Sequence, residues 1–264
     1  MKFSNHIINK INKINKMEIS ALTRSVVKSN HAVIAPDGYI NSNVPGWTDC
    51  TVNVIINEAM GAKLCQTIIT AKTNCELVGT TKESQIFFYI ISGESKATVS
   101  DETKTLTKGQ FVYVPIGKEY AFSEIAEGTQ ILTFHKVYEH LAGYSVPSVL
   151  FGDAANVPGP SYLGDDALRL QVLLPDELTF DMAVNIFTYD SGGHLPMVET
   201  HIMEHGLLYL QGQGVYMLDH QWYPIKKGDS IWMAPYCQQW FTAMGKEPAV
   251  YIYYKNVNRF PTVI

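Results

Sequence analysis

Lys108-Gly109-Gln110-Phe111-Val112-Tyr113-Val114-Pro115 reads as a glycine turn, a short strand of β-branched and aromatic residues, and a proline stop. The pattern returns as Lys227-Gly228-Asp229-Ser230-Ile231-Trp232-Met233-Ala234. Upstream of each copy stands a second matching pair, Ile91-Ser92-Gly93 and Leu210-Gln211-Gly212. Gly93 to Gly212 and Gly109 to Gly228 are both 119 residues apart. Two landmarks at one offset, with strand text around each, predict a duplicated β-barrel.

The rest of the chain agrees with an all-β class. Short segments rich in Val, Ile, Thr, Phe and Tyr recur from Cys50 onward, over 51–57, 64–71, 86–92, 96–100, 110–114 and 130–138. They resume over 168–174, 182–189, 207–210, 214–218, 221–225, 230–233 and 249–254. Glycine, proline and asparagine punctuate them, and helix is scarce beyond a short turn at Pro175–Leu178. Between the two series, 146–164 is rich in proline and glycine and reads as a linker. The expected division is a leader at 1–22, poorly ordered, a first barrel at 23–145, the linker, and a second barrel at 165–264.

Composition excludes several function classes. Hydrophobic residues make up 46% and charged residues 17%, which suits a globular core, and the net charge of −5 comes with no basic stripe for nucleic acid. No apolar run approaches the roughly 18 residues of a membrane span. The N-terminal Asn-Lys-Ile repeats lack the apolar core of a secretory signal, so a cytoplasmic protein is expected. The four cysteines form no CxxC pair and read as free thiols.

The chemistry concentrates in Gly193–Gly212. Glu199, His201 and His205 are three potential metal ligands of equal strand parity, and a bend between His201 and His205 would fold the chain toward one centre. A carboxylate with two imidazoles suits Mn, Fe, Co or Zn.

This segment resembles the first cupin motif, G-x5-H-x-H-x3,4-E-x6-G. Its glycines match, with Glu in place of the first His and His in place of the Glu. The second cupin motif, G-x5-P-x-G-x2-H, starts at Gly228 and reads Ala234, Tyr236 and Gln239 at its proline, glycine and histidine positions. The 119-residue offset carries Glu199, His201, His205 and Gln239 onto Thr80, Lys82, Ile86 and Tyr120, which cannot hold a metal. The first barrel is therefore expected to lack the site, leaving one metal per chain.

The Glu/His/His/Gln set, with Val26–Ala32, Ala35–Gly38, Glu199–Gly206, Gly212–Tyr216, Pro224–Asp229 and Tyr251–Arg259, is similar to the bicupin (S)-ureidoglycine aminohydrolases of allantoin degradation. The resemblance spans nearly all of the chain after about residue 22. It implies two tandem cupin (jelly-roll) barrels and Mn2+ held by Glu199, His201, His205 and Gln239. It also implies a small anionic ureido substrate contacted by Glu199, Gln239, Tyr251 and Lys255, with Tyr216 near the pocket. Oxygen donors make up half of that ligand set, which favours Mn over Zn.

Strand parity supports part of this independently. Tyr251 and Lys255 share a face with Tyr253 between them, and an inward lysine needs an anionic partner. Lys255 is thus expected to neutralise the substrate carboxylate, and Glu199 to move a proton. Glu204 has the opposite parity and reads as a supporting or solvated group; Cys237 reads as a buried, inert thiol. Competing readings are another metal cupin, such as a dioxygenase or isomerase, and a non-catalytic ligand-binding cupin. Barrels of this kind pack through their sheet faces, so a homo-oligomer is expected.

Overall fold

The computed structural model describes residues 23–256 and Arg259; the leader expected at 1–22 lies outside them. Nearly all regular structure is β. The helical turns among the described residues are three short 3-10 segments, Pro36–Gly38, Glu58–Met60 and Ala154–Asn156. The short turn expected at Pro175–Leu178 falls at Leu178–Thr179, closed by the Phe180 amide donating to the Glu177 carbonyl at 3.0 Å.

The first half curls into one nine-stranded sheet. Its centre is Ser84–Ser92, flanked by Gln110–Val114 and Gln130–Val137, and the long strand Cys65–Thr80 carries it round to Glu119–Ser123. The second half repeats the plan with an eight-stranded sheet centred on His205–Gln211 and Ala249–Asn256. A three-stranded sheet of Gln213–Leu218, Gln221–Lys226 and Gln239–Met244 completes it.

Two segments cross the boundary implied by sequence order. Val26–Val27 and His31–Ile34, placed by position with the first half, form the edge of the second-half sheet, where His31–Ile34 pairs with Ser230–Met233. Arg24 fastens this arm through two bonds, of 2.5 and 2.7 Å, to the buried carboxylate of Asp229. Leu150–Asp153, within the linker, pairs with Gln110–Val114 and closes the first-half sheet.

The continuous apolar runs follow from what lies on each side of a strand. In Ser84–Ser92, Ile86, Phe88 and Ile90 enter the interior of the first barrel, while Phe87 and Tyr89 join the core between the barrels. In Ala249–Asn256, Tyr251 enters the second barrel, while Ile252 and Tyr254 join the same shared core. Both faces are covered, so both are apolar. The shared core is pinned by buried polar bonds. Gln66 donates to the Leu207 carbonyl at 3.2 Å and to the Ser230 hydroxyl at 3.0 Å. Lys136 meets Asp181 at 2.7 Å, with both side chains buried.

Candidate metal and substrate site

The segment 193–204 is irregular, and backbone bonds hold it against Gln239–Met244. The Leu195 amide donates to the Phe241 carbonyl at 2.9 Å, and Glu199 and Gln239 exchange amide–carbonyl bonds of 2.9 Å in both directions. Two residues on, the His201 carbonyl accepts from the Tyr236 amide at 2.7 Å. The chain bends at Ile202 and enters the strand His205–Gln211. The expected bend between the two histidines is therefore present, and it turns their rings toward each other.

His205 and His201 approach through Nε2 at 3.2 Å, with ring planes 86° apart. The Nδ1 of His205 donates to the Tyr254 carbonyl at 3.3 Å, which leaves a lone pair on its Nε2. Burial, and then the neighbouring His201, push the His205 imidazole down to about 3, so it is neutral at physiological pH. The Gln239 carboxamide lies 2.9 Å from His201 Nε2 through its Nε2, and its Oε1 accepts from the Tyr216 hydroxyl at 3.3 Å.

Glu199 lines a small cavity, of about 40 Å³, together with Tyr162, Phe187, His205, Leu207, Tyr216, Met233, Tyr251 and Tyr253. Its carboxylate Oε1 accepts from the Tyr162 hydroxyl at 3.1 Å. Two imidazoles and a carboxamide thus converge, and the carboxylate stands on the cavity wall, turned toward Tyr162. Among the described residues no three His, Cys, Asp or Glu side chains form a closed metal-holding group.

The donor chemistry nevertheless fits a divalent cation. Two nitrogen ligands at right angles on one ion, each about 2.1 Å away, would stand about 3 Å apart, close to the separation of the two imidazoles. Rotating the Gln239 amide exchanges its two ends and presents a third lone pair beside His201. His201 Nδ1 is buried without a hydrogen-bond partner among the described residues, so no neighbour of that atom dictates a proton on Nε2.

Of the remaining residues expected at the site, Tyr216 and Tyr251 line the cavity, and Lys255 is not among its lining residues. Tyr251 faces the cavity, its hydroxyl 2.9 Å from that of Tyr189. Burial raises the hydroxyl pKa of Tyr216, Tyr251 and Tyr253 well above the ordinary value, so all three are neutral donors. Lys255 is paired directly across from His205, is half-buried, and makes no side-chain bond among the described residues. Glu204 points the other way, toward the first barrel, where its buried carboxylate accepts from the Lys63 amide at 3.0 and 3.1 Å. Cys237 is buried and its thiol is pushed up to about 11, an inert state. Sequence reasoning passed over Tyr162, Phe187, Leu207 and Met233. Tyr162 sits in the proline-rich connection and carried no local signal.

In the first half the equivalent positions are filled. His205 and Ile86 occupy the same place in their sheets, as do Gln239 and Tyr120. Glu199, however, corresponds to Gly79, which lies opposite Tyr120, rather than to Thr80, which lies opposite Glu119. A glycine, an isoleucine and a tyrosine offer no ligand set.

A duplicated β-barrel with histidine and glutamate side chains gathered in one half defines a bicupin. The family described as a cupin domain matches residues 80–138, in the first barrel. Over most of its length the chain is also similar to curated relatives. It is 34% identical to the (S)-ureidoglycine aminohydrolase of Escherichia coli K12, over 89% of this chain and 92% of that one. It is 30% identical to the Arabidopsis thaliana enzyme of the same name, over 92% and 81% of the two chains. The crystal structure of protein Ylba from E. coli superposes with a TM-score of 0.81 at 31% identity, over 91% of this chain and 97% of that one. The chain belongs to the (S)-ureidoglycine aminohydrolase family.

Proposed function

We propose that this protein hydrolyses (S)-ureidoglycine to (S)-ureidoglycolate and ammonia in allantoin catabolism, using one Mn2+ per chain held by Glu199, His201, His205 and Gln239. The observation that supports this most directly is the meeting of His201, His205 and Gln239, with Glu199 and His205 lining one cavity. When bound, the ion would act as a Lewis acid toward the substrate and lower the pKa of water.

The protein's own side chains account for the rest. The reaction forms a C–O bond from water and breaks the C–N bond to the amine, and one proton of the water leaves on ammonia. Glu199 is the carboxylate beside that centre and carries the proton between the two. Lys255 neutralises the substrate carboxylate at the rim. The neutral hydroxyls of Tyr216 and Tyr251 orient polar groups of the substrate, and Phe187, Leu207 and Met233 keep bulk water out. The cavity holds about 40 Å³, on the order of one or two waters, so an organic substrate extends from it toward Lys255.

The proposal includes a cytoplasmic homo-oligomer. No helix among the described residues is long and apolar enough to cross a membrane. Val78, Trp222 and Met244 leave apolar area exposed on outer sheet faces, which a second copy would cover. The deciding experiment is ammonia release from freshly prepared ureidoglycine. Turnover should appear with Mn2+ and vanish after chelation, and absence of turnover in the manganese-loaded protein would refute the assignment.

A further inference from the structure

Tyr162 belongs to the connection between the barrels, yet its side chain lines the cavity of the second one. Its hydroxyl donates to Glu199 Oε1 at 3.1 Å, the sole side-chain bond of that carboxylate among the described residues. Its ring packs edge-on against Phe187 with centroids 4.9 Å apart.

The local backbone is arranged around this contact. Ser161–Tyr162 pairs with Asp165–Val172 through a two-residue turn in which Leu163 and Gly164 both adopt positive φ, 52° and 82°. That is the backbone of a type I′ hairpin, where a leucine costs about 1–2 kcal/mol relative to its ordinary conformation. The tight turn sets Tyr162 at the edge of the eight-stranded sheet with its ring against the cavity wall.

We infer that Tyr162 is a positioning residue for the site: its hydroxyl fixes the rotation of the Glu199 carboxylate, occupying Oε1 and leaving Oε2 available to the cation and substrate. The linker therefore supplies part of the reaction machinery. This rests on the proposed role of Glu199 but can be separated from the identity of the substrate.

The test is Tyr162→Phe, which deletes the hydroxyl and keeps the ring against Phe187, so a packing role alone would leave the readouts unchanged. Binding of Mn2+ alone is followed by loss of the six-line electron paramagnetic resonance signal of the free ion. The dissociation constant is expected to rise at least 10-fold, within the range seen when a partner of a metal ligand is removed. With saturating Mn2+, kcat for ureidoglycine should fall while KM changes little. Binding and turnover both within twofold of the parent would overturn the inference. If the parent releases no ammonia from ureidoglycine, yet Tyr162→Phe still weakens Mn2+ binding, the positioning role stands and the substrate assignment fails.

Discussion

Tyr120 lies directly opposite Gly79 in the first barrel, and its ring fills the space that a side chain at 79 would need. A Cβ there would collide with the Tyr120 hydroxyl. The side chain cannot yield easily, because its ring packs on Phe88 at 5.1 Å and its hydroxyl accepts from the Trp47 indole at 3.2 Å. This pair occupies the place that Glu199 and Gln239 hold in the second barrel. Gly79→Ala should cost about 1–3 kcal/mol in urea unfolding, while the folded variant retains parental kcat and Mn2+ affinity, since the reactive centre is in the other half.

Lys255 is directly opposite His205 and has no protein anion bonded to it among the described residues. Replacing it with methionine keeps the stem and removes the charge. KM for ureidoglycine should rise by about 10- to 100-fold, as loss of a charge-assisted contact of roughly 1.5–3 kcal/mol predicts, with a smaller change in kcat. An unchanged KM in steady-state assays would remove the counter-ion role.

Glu204 is buried, and burial raises its carboxyl to about 6, above the ordinary carboxylate range. The folded state therefore binds a proton more readily than the unfolded chain between about pH 4.5 and 6. Above that window the ionised group lowers stability; below it the penalty disappears. Glu204→Gln keeps an acceptor for the Lys63 amide without the charge. It should stabilise the protein by about 1–2 kcal/mol at pH 8 and by much less at pH 5. Thermal melts at the two pH values distinguish this from a pH-independent packing effect.

Asp181 accepts from Lys136 at 2.7 Å and from the Glu139 amide at 2.6 Å, and it also bonds the Gln85 side chain. Asp181→Ala leaves a buried ammonium without its strong partner and should cost about 3–5 kcal/mol. Glu139 is the remaining carboxylate near it, at 3.6 Å, and is mostly exposed. Denaturant unfolding measures the loss, and a change below 1 kcal/mol would show that the pair contributes little.

The fold was legible because strand chemistry and turn residues repeat at a fixed interval, and the ligands because they share one parity. What escaped the sequence has identifiable causes. Ile86 lies seven residues after Gly79, and His205 six after Glu199, so a rigid offset misplaces the glutamate's counterpart by one. Tyr162 reaches the cavity through a hairpin whose turn uses a leucine, a residue that does not announce positive φ. The arm at residues 26–34 contains strand-like text, but nothing in it says which barrel it will join. Lys136 and Asp181 lie in separate halves, and only the packing of the two sheets brings them together.

The exchanged arm has a consequence for how the molecule is made. Its strand His31–Ile34 needs Ser230–Met233, which leaves the ribosome about two hundred residues later. The earliest described β-ribbon must wait, without its sheet neighbour, while those residues are made. Cutting the gene at the linker would orphan that ribbon in one product and bare a sheet edge in the other. Expression of the two pieces together, rather than of either alone, is the way to recover a folded second barrel.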